Sequence, residues 1–248
     1  MAPRTATLAR SAVESGLNRI HWLLLVQSVD VILVSINRLS TLTTGYVAAN
    51  EFLRWVDLLN MLVLPLISMV AFYLLKKQVE YDSPAREGPW HLALNLTFMI
   101  GVYLLAASYG THEVTNYLHV RFCLDDEASA LCRIIIFNDD EFSHWVFFTG
   151  FVMVNAALMF LQILFPYRGQ MTRRDWIFLV SNGLFIALGI FANLAFEEIG
   201  LDLYVVAILT VLSLALFWRR GPQPLIIYYA TAYMLGLVAT AIYKGGAG

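Results

Sequence analysis

The sequence predicts an all-α, polytopic membrane helix bundle of about seven transmembrane helices, with the N-terminus cytoplasmic and the C-terminus outside. Three observations predict it. Of 248 residues, 59% are hydrophobic and 14% charged, whereas a soluble domain is nearer half apolar and a quarter charged. Seven runs approach the roughly 20 mostly apolar residues that a spanning helix needs. Basic residues gather in every second connection between those runs. The whole chain, 1–248, reads as one integral membrane domain. Its net charge of −2 leaves no general basic surface for nucleic acid.

Residues 1–18 are too polar for a signal-peptide core and read as a cytoplasmic N-terminal segment. The first span runs from about His21 to Asn37. The second, from Trp55 to Leu75, stops at Lys76 and Lys77. The third, from Trp90 to Thr111, starts after Pro89, and residues 112–141 form the outer loop between spans three and four. Span four runs from near Phe142 to near Phe165 and stops at Pro166. Span five covers Trp176 to Phe196. Span six, Leu203 to Trp218, is short, so a six-span chain with one re-entrant segment is the alternative. Span seven, Leu225 to Tyr243, follows Pro222 and Pro224. Six tryptophans, from Trp22 to Trp218, fall near span ends as an aromatic belt.

Charge sets the orientation. Arg4, Arg10 and Arg19 precede span one. Lys76, Lys77 and Arg86 lie between spans two and three, Arg168, Arg173 and Arg174 between four and five, and Arg219 and Arg220 between six and seven. These are 11 of the 16 basic residues, and seven spans put them all on one face, the inner one. Twelve of the 18 acids are outer. Cys123 and Cys132 fall in the outer loop, where an oxidising environment favours a bridge.

The candidate chemistry lies at that outer end. If helix three continues past Thr111, then His112, Asn116 and His119 share a face, with Glu113 beside it. Span four opens Asn138-Asp139-Asp140-Glu141-Phe142-Ser143-His144. Asp140 is four residues from His144, and Glu141 is three, the Glu-x-x-His spacing of di-metal carboxylate bundles. Consecutive helices are usually neighbours, so three of the five histidines are expected to meet carboxylates at one interface. His21 and His91 are on the inner side and cannot join them. Imidazole with carboxylate suits zinc, iron or manganese. The expected metal ligands are His112, His119, Asp140 and His144, with Glu113 or Glu141 as general base. Interfacial histidines hydrogen-bonded to capping acids are the competing reading. Glu197 or Glu198 at the end of span five is a further ligand candidate.

Asp30 lies near the middle of span one, with Gln27 and Asn37 on a nearby face. A carboxyl at that depth is costly unless neutral, paired or hydrated. Asn60, Asn95, Asn155 or Asn182 would line a wet cavity with it. The group reads either as a proton or ion relay or as interhelical hydrogen bonding. Tyr229 and Tyr233 share a face of span seven.

Seven spans with histidines and carboxylates are similar in architecture to the superfamily of alkaline ceramidases and adiponectin-type receptors, whose zinc is held by histidines and a carboxylate. That pattern includes a His-x-x-x-His pair in the last span, and this chain has no histidine after His144, so none of its residues is carried over. Nor does span seven hold a lysine before Lys244, which excludes a mid-membrane retinal Schiff base.

The expectation is therefore a multi-pass protein of the cell (inner) membrane. Its divalent metal, zinc or iron, would serve hydrolysis or oxidation of a lipid-like or small apolar substrate. The alternative is a transporter, or a non-catalytic subunit among membrane partner subunits, that uses Asp30 and the buried asparagines.

Overall fold

The computed structural model describes residues 3–81, 88–196 and 200–246; the side chains of residues 3–15, 196 and 246 are outside that description. Seven helices follow in order: α1 (Pro3–Leu39), α2 (Trp55–Tyr81), α3 (Pro89–Phe122), α4 (Ala130–Leu164), α5 (Arg173–Phe196), α6 (Leu201–Arg220) and α7 (Pro224–Gly246). Each is long and apolar enough to cross a membrane. The short sixth helix has 20 residues, about 30 Å at 1.5 Å per residue, which matches the hydrocarbon thickness. Large apolar side chains such as Leu66, Met99 and Val211 point outward, exposed by 61%, 61% and 68%. In a bundle whose solvent is lipid, that exposure is the favourable state.

Local chemistry sets the helix ends. Pro89 opens α3 after an extended Gly88. Thr172 and Asp175 exchange bonds at the start of α5: the Thr172 amide donates to Asp175 Oδ2 at 2.7 Å, and the Asp175 amide to Thr172 Oγ1 at 3.3 Å. Gly221 ends α6 with φ of 77°, a left-handed conformation that suits glycine.

Small residues bring two helix pairs together. In the antiparallel pair α3–α4, a Cβ on Gly150 would lie 2.8 Å from the Gly101 carbonyl oxygen. In the parallel pair α5–α7, a Cβ on Gly183 would lie 2.8 Å from Thr231 Cβ, and one on Gly236 would lie 2.7 Å from Ile190 Cγ2. Helix α1 is tied in by polar contacts. Gln27 donates to the Ser68 carbonyl at 2.8 Å, Ser28 donates to Asn182 at 2.9 Å, and His21 meets Asp175 at 2.9 Å. Leu158, Met159, Leu209, Leu225 and Tyr233 fill the centre between α4, α6 and α7.

Two features shape the end of the bundle that carries the histidines. Helix α3 runs unbroken to Phe122 and α4 starts at Ala130. The segment 112–141, expected as a loop, is therefore mostly helix with a short turn, closed by a disulfide between Cys123 and Cys132. Residues 40–54 fold back as turns joined by the Tyr46–Arg54 bridge. Tyr117 of α3 holds this segment by donating to the Glu51 carbonyl at 2.6 Å, and the Arg54 guanidinium lies 5.3 Å over the Tyr117 ring.

Candidate metal centre

The site grows from the α3–α4 register. The Gly101/Gly150 approach fixes the crossing. Further along, Ser108 donates to the Ser143 carbonyl at 2.8 Å. Another helical turn on, His112 faces Asp139, with 3.1 Å between Nδ1 and Oδ1. The three pairs belong to one antiparallel register.

Helix α4 carries a π-helical turn over Phe137–Phe142. Such a turn closes i→i+5 bonds and holds one more residue than an α turn. It directs Asp139 into the bundle, fully buried at 0% exposure, while Asp140 and Glu141 are exposed. Asp139 Oδ2 lies 3.0 Å from His119 Nδ1, and the Thr115 hydroxyl lies 3.4 Å from Oδ1. One buried carboxylate thus joins two histidines of α3. In the tautomer that donates Nδ1–H to it, each ring keeps a lone pair on Nε2. His144 is held the same way, with Nδ1 at 2.7 Å from the Asp140 carbonyl oxygen. Its ring centroid is 5.1 Å from that of His112. His119, Asp139 and Asp140 also offer ligand atoms within 4.8 Å of one another.

Of the six residues picked out by the sequence, His112, His119, Asp140 and His144 come together here. Glu113 does not join them. It is 2% exposed and ion-paired with Arg38 of α1. Glu141 is exposed and makes no hydrogen bond or ion pair among the described residues. Asn116 is half-buried and adds no polar contact to the site; Thr115 takes its place. Asp139 is the residue that spacing missed. Its signal was the acidic run at the start of span four, but α-helical spacing selects Asp140 and Glu141 as the partners of His144. Glu197 and Glu198 lie outside the described residues.

A second polar cluster abuts the first. Asn37 donates to Asn60 Oδ1 at 2.7 Å. Asn60 Nδ2 makes no hydrogen bond of ordinary geometry among the described residues and lies beside the Glu113 carboxylate, whose charge it favours. Arg54 makes two bonds to Asp57, at 2.8 and 2.7 Å. The hydrogen bond and charge of Asp57 hold the Arg54 guanidinium above its ordinary pKa. Deeper in the bundle, Asp30 is buried and its Oδ1 has no hydrogen-bond partner among the described residues. None of the four expected asparagines bonds to it among the described residues: Asn60 meets Asn37, Asn155 its own helix and Asn182 Ser28.

What the first cluster offers is nitrogen and oxygen donors on two rigid helices, with a buried carboxylate behind two imidazoles. Such a set can orient rings for a borderline metal, or hold and relay a proton. Compared with family models, curated proteins and solved structures, the chain has no match, so any function has to be read from this arrangement.

Proposed function

We propose that the protein is an integral membrane metalloenzyme with a divalent ion, zinc or iron, at the α3–α4 crossing. The observation that supports it is Asp139, fully buried and bonded to two imidazoles at 3.1 and 3.0 Å. Metal-ligating histidines commonly donate their other ring N–H to a carboxylate or a backbone carbonyl, which fixes tautomer and orientation. His112 and His119 fit the carboxylate form of that pattern, and His144 fits the carbonyl form. The ligands are then His112, His119, His144 and Asp140, with Asp139 orienting two of the rings. A bound divalent ion supplies Lewis acidity and lowers the pKa of a coordinated water. Glu141 is the base candidate with a free carboxylate, since Glu113 is committed to Arg38. The site lies at a helix end, at headgroup depth, which suits hydrolysis or oxidation of a lipid-like or small apolar molecule. The basic bias and the disulfide both support an outer location for this end. The membrane that fits is the cell (inner) membrane.

The deciding experiment is metal analysis of protein purified after metal-replete growth. Near-stoichiometric zinc or iron in the wild type, lost in His112→Ala and His119→Ala, is the expected result. Absence of zinc, iron, manganese and copper from folded wild type sinks the reading.

A second reading rests on Asp30. A buried carboxyl oxygen without a partner suits a proton or ion carrier, or a contact in a complex with membrane partner subunits. It expects Asp30→Asn to abolish function while His112→Ala and His144→Ala are tolerated.

A further inference from the structure

At the opposite end of the bundle, the start of the α1 span faces the end of α2 across a groove of about 390 Å³. That is within the roughly 300–1,000 Å³ of small-molecule sites. Its walls include Trp22, Leu23 and Leu74, and Arg19, Lys77, Gln78 and Tyr81 bring polar groups to it. Among the described residues, neither cation of this groove has an ion pair. Lys76, next in sequence, is bonded to Glu80 at 2.6 Å. Lys77 instead meets only the Tyr73 ring, at 5.9 Å, and Arg19 has no ion pair among the described residues. Gln78 is 8% exposed, yet its amide makes no hydrogen bond among the described residues. Its side chain lines the groove, which leaves the amide available to an oxygen of a ligand there.

We propose that this groove binds one anionic phospholipid, its phosphate between Arg19 and Lys77, a headgroup or ester oxygen on the Gln78 amide, and an acyl chain along Leu23 and Leu74. The depth fits, because Arg19 and Lys77 sit in the end turns of two spans, at the boundary where headgroups lie. The charge fits, because two cations without an ion pair among the described residues meet one phosphate. A zwitterionic lipid brings its own cation and gains less from the pair. The inference does not depend on a metal at the other end.

The test uses the full-length protein in detergent, offered equal phosphatidylglycerol and phosphatidylcholine, with retained lipid counted by native mass spectrometry. Wild type should prefer phosphatidylglycerol by about tenfold. The Arg19→Ala/Lys77→Ala protein should bind the two lipids equally. Gln78→Leu, which keeps the volume, should reduce the preference several-fold. Arg219→Ala/Arg220→Ala, which removes charge from the same end, should keep it. No preference in wild type overturns the proposal, as does a preference that survives Arg19→Ala/Lys77→Ala or Gln78→Leu. Equal loss in the Arg219→Ala/Arg220→Ala control overturns it too, by making the effect one of general charge. Displacement of the lipid by inorganic phosphate would make the site one for free phosphate and would also overturn it. If the double variant does not fold, wild-type selectivity and Gln78→Leu decide.

Discussion

The Ser108 hydroxyl donates to the Ser143 carbonyl at 2.8 Å across the α3–α4 interface, one helical turn below the contact of His112 with Asp139. This bond and the glycine approach beneath it set the height at which the two helices present their polar ends. Gly150→Ala places a Cβ 2.8 Å from the Gly101 carbonyl oxygen. Overpacking of that kind costs about 1–3 kcal/mol. Thermal unfolding in detergent should show the loss, and metal content should fall with it although no ligand has changed. Unchanged stability would mean that the helices are not held at this distance.

Asp139 and its neighbours should separate by role. Asp139→Asn removes the charge behind His112 and His119 and should weaken metal binding about 10–100-fold. Glu141→Gln should leave affinity intact and lower turnover of whatever substrate is found. Competition with a chelating dye measures the first effect. Equal affinities for wild type and Asp139→Asn would remove Asp139 from the site.

Arg38→Met strands the Glu113 carboxylate, which is 2% exposed. Breaking a buried pair costs about 3–5 kcal/mol. The Arg38 side chain is 37% exposed, so a loss of about 2–3 kcal/mol is expected here. Adding Glu113→Gln should recover most of it. A double-mutant cycle followed by chemical unfolding checks this, and additive losses would deny the coupling.

Asp30→Asn removes a buried carboxyl whose Oδ1 has no partner among the described residues. The melting temperature should stay level or rise, and metal content should not change. Loss of a cellular function with metal retained would instead favour the carrier reading.

Cys123 and Cys132 should resist alkylation unless the protein is first reduced. A bridge over a sequence separation of 9 restricts the unfolded chain by about 2–3 kcal/mol. Reduction should therefore speed hydrogen exchange at the α3–α4 turn before it affects the rest of the bundle.

Much of the fold was legible because lipid imposes a simple rule. A run of apolar residues about 30 Å long has few alternatives to a spanning helix. The pairing of His112 with His144 was legible too, since α spacing and chain adjacency suffice to place both rings at one interface. Two things were not legible. Polar residues such as His112, Thr115 and His119 look like loop to a hydropathy reading, yet α3 carries them as helix to Phe122. The π turn at Phe137–Phe142 shifts which acid faces inward, and no periodicity reveals it in advance. The ion pair of Glu113 was hidden for a related reason. Its spacing beside His112 said nothing about Arg38, which reaches it from a helix 75 residues away in sequence.

A π turn is, in genetic terms, one surplus codon inside a helix. Loss of three in-frame bases between 137 and 142 would leave a span still apolar and still long enough to cross. A loss falling on Asp139 or just after it would restore an α turn in which the acid that meets His112 and His119 is removed or displaced along the helix. The bundle would assemble, and its polar centre would be gone. Presence or absence of that codon therefore separates two kinds of descendant from one scaffold, and it can be read from DNA alone.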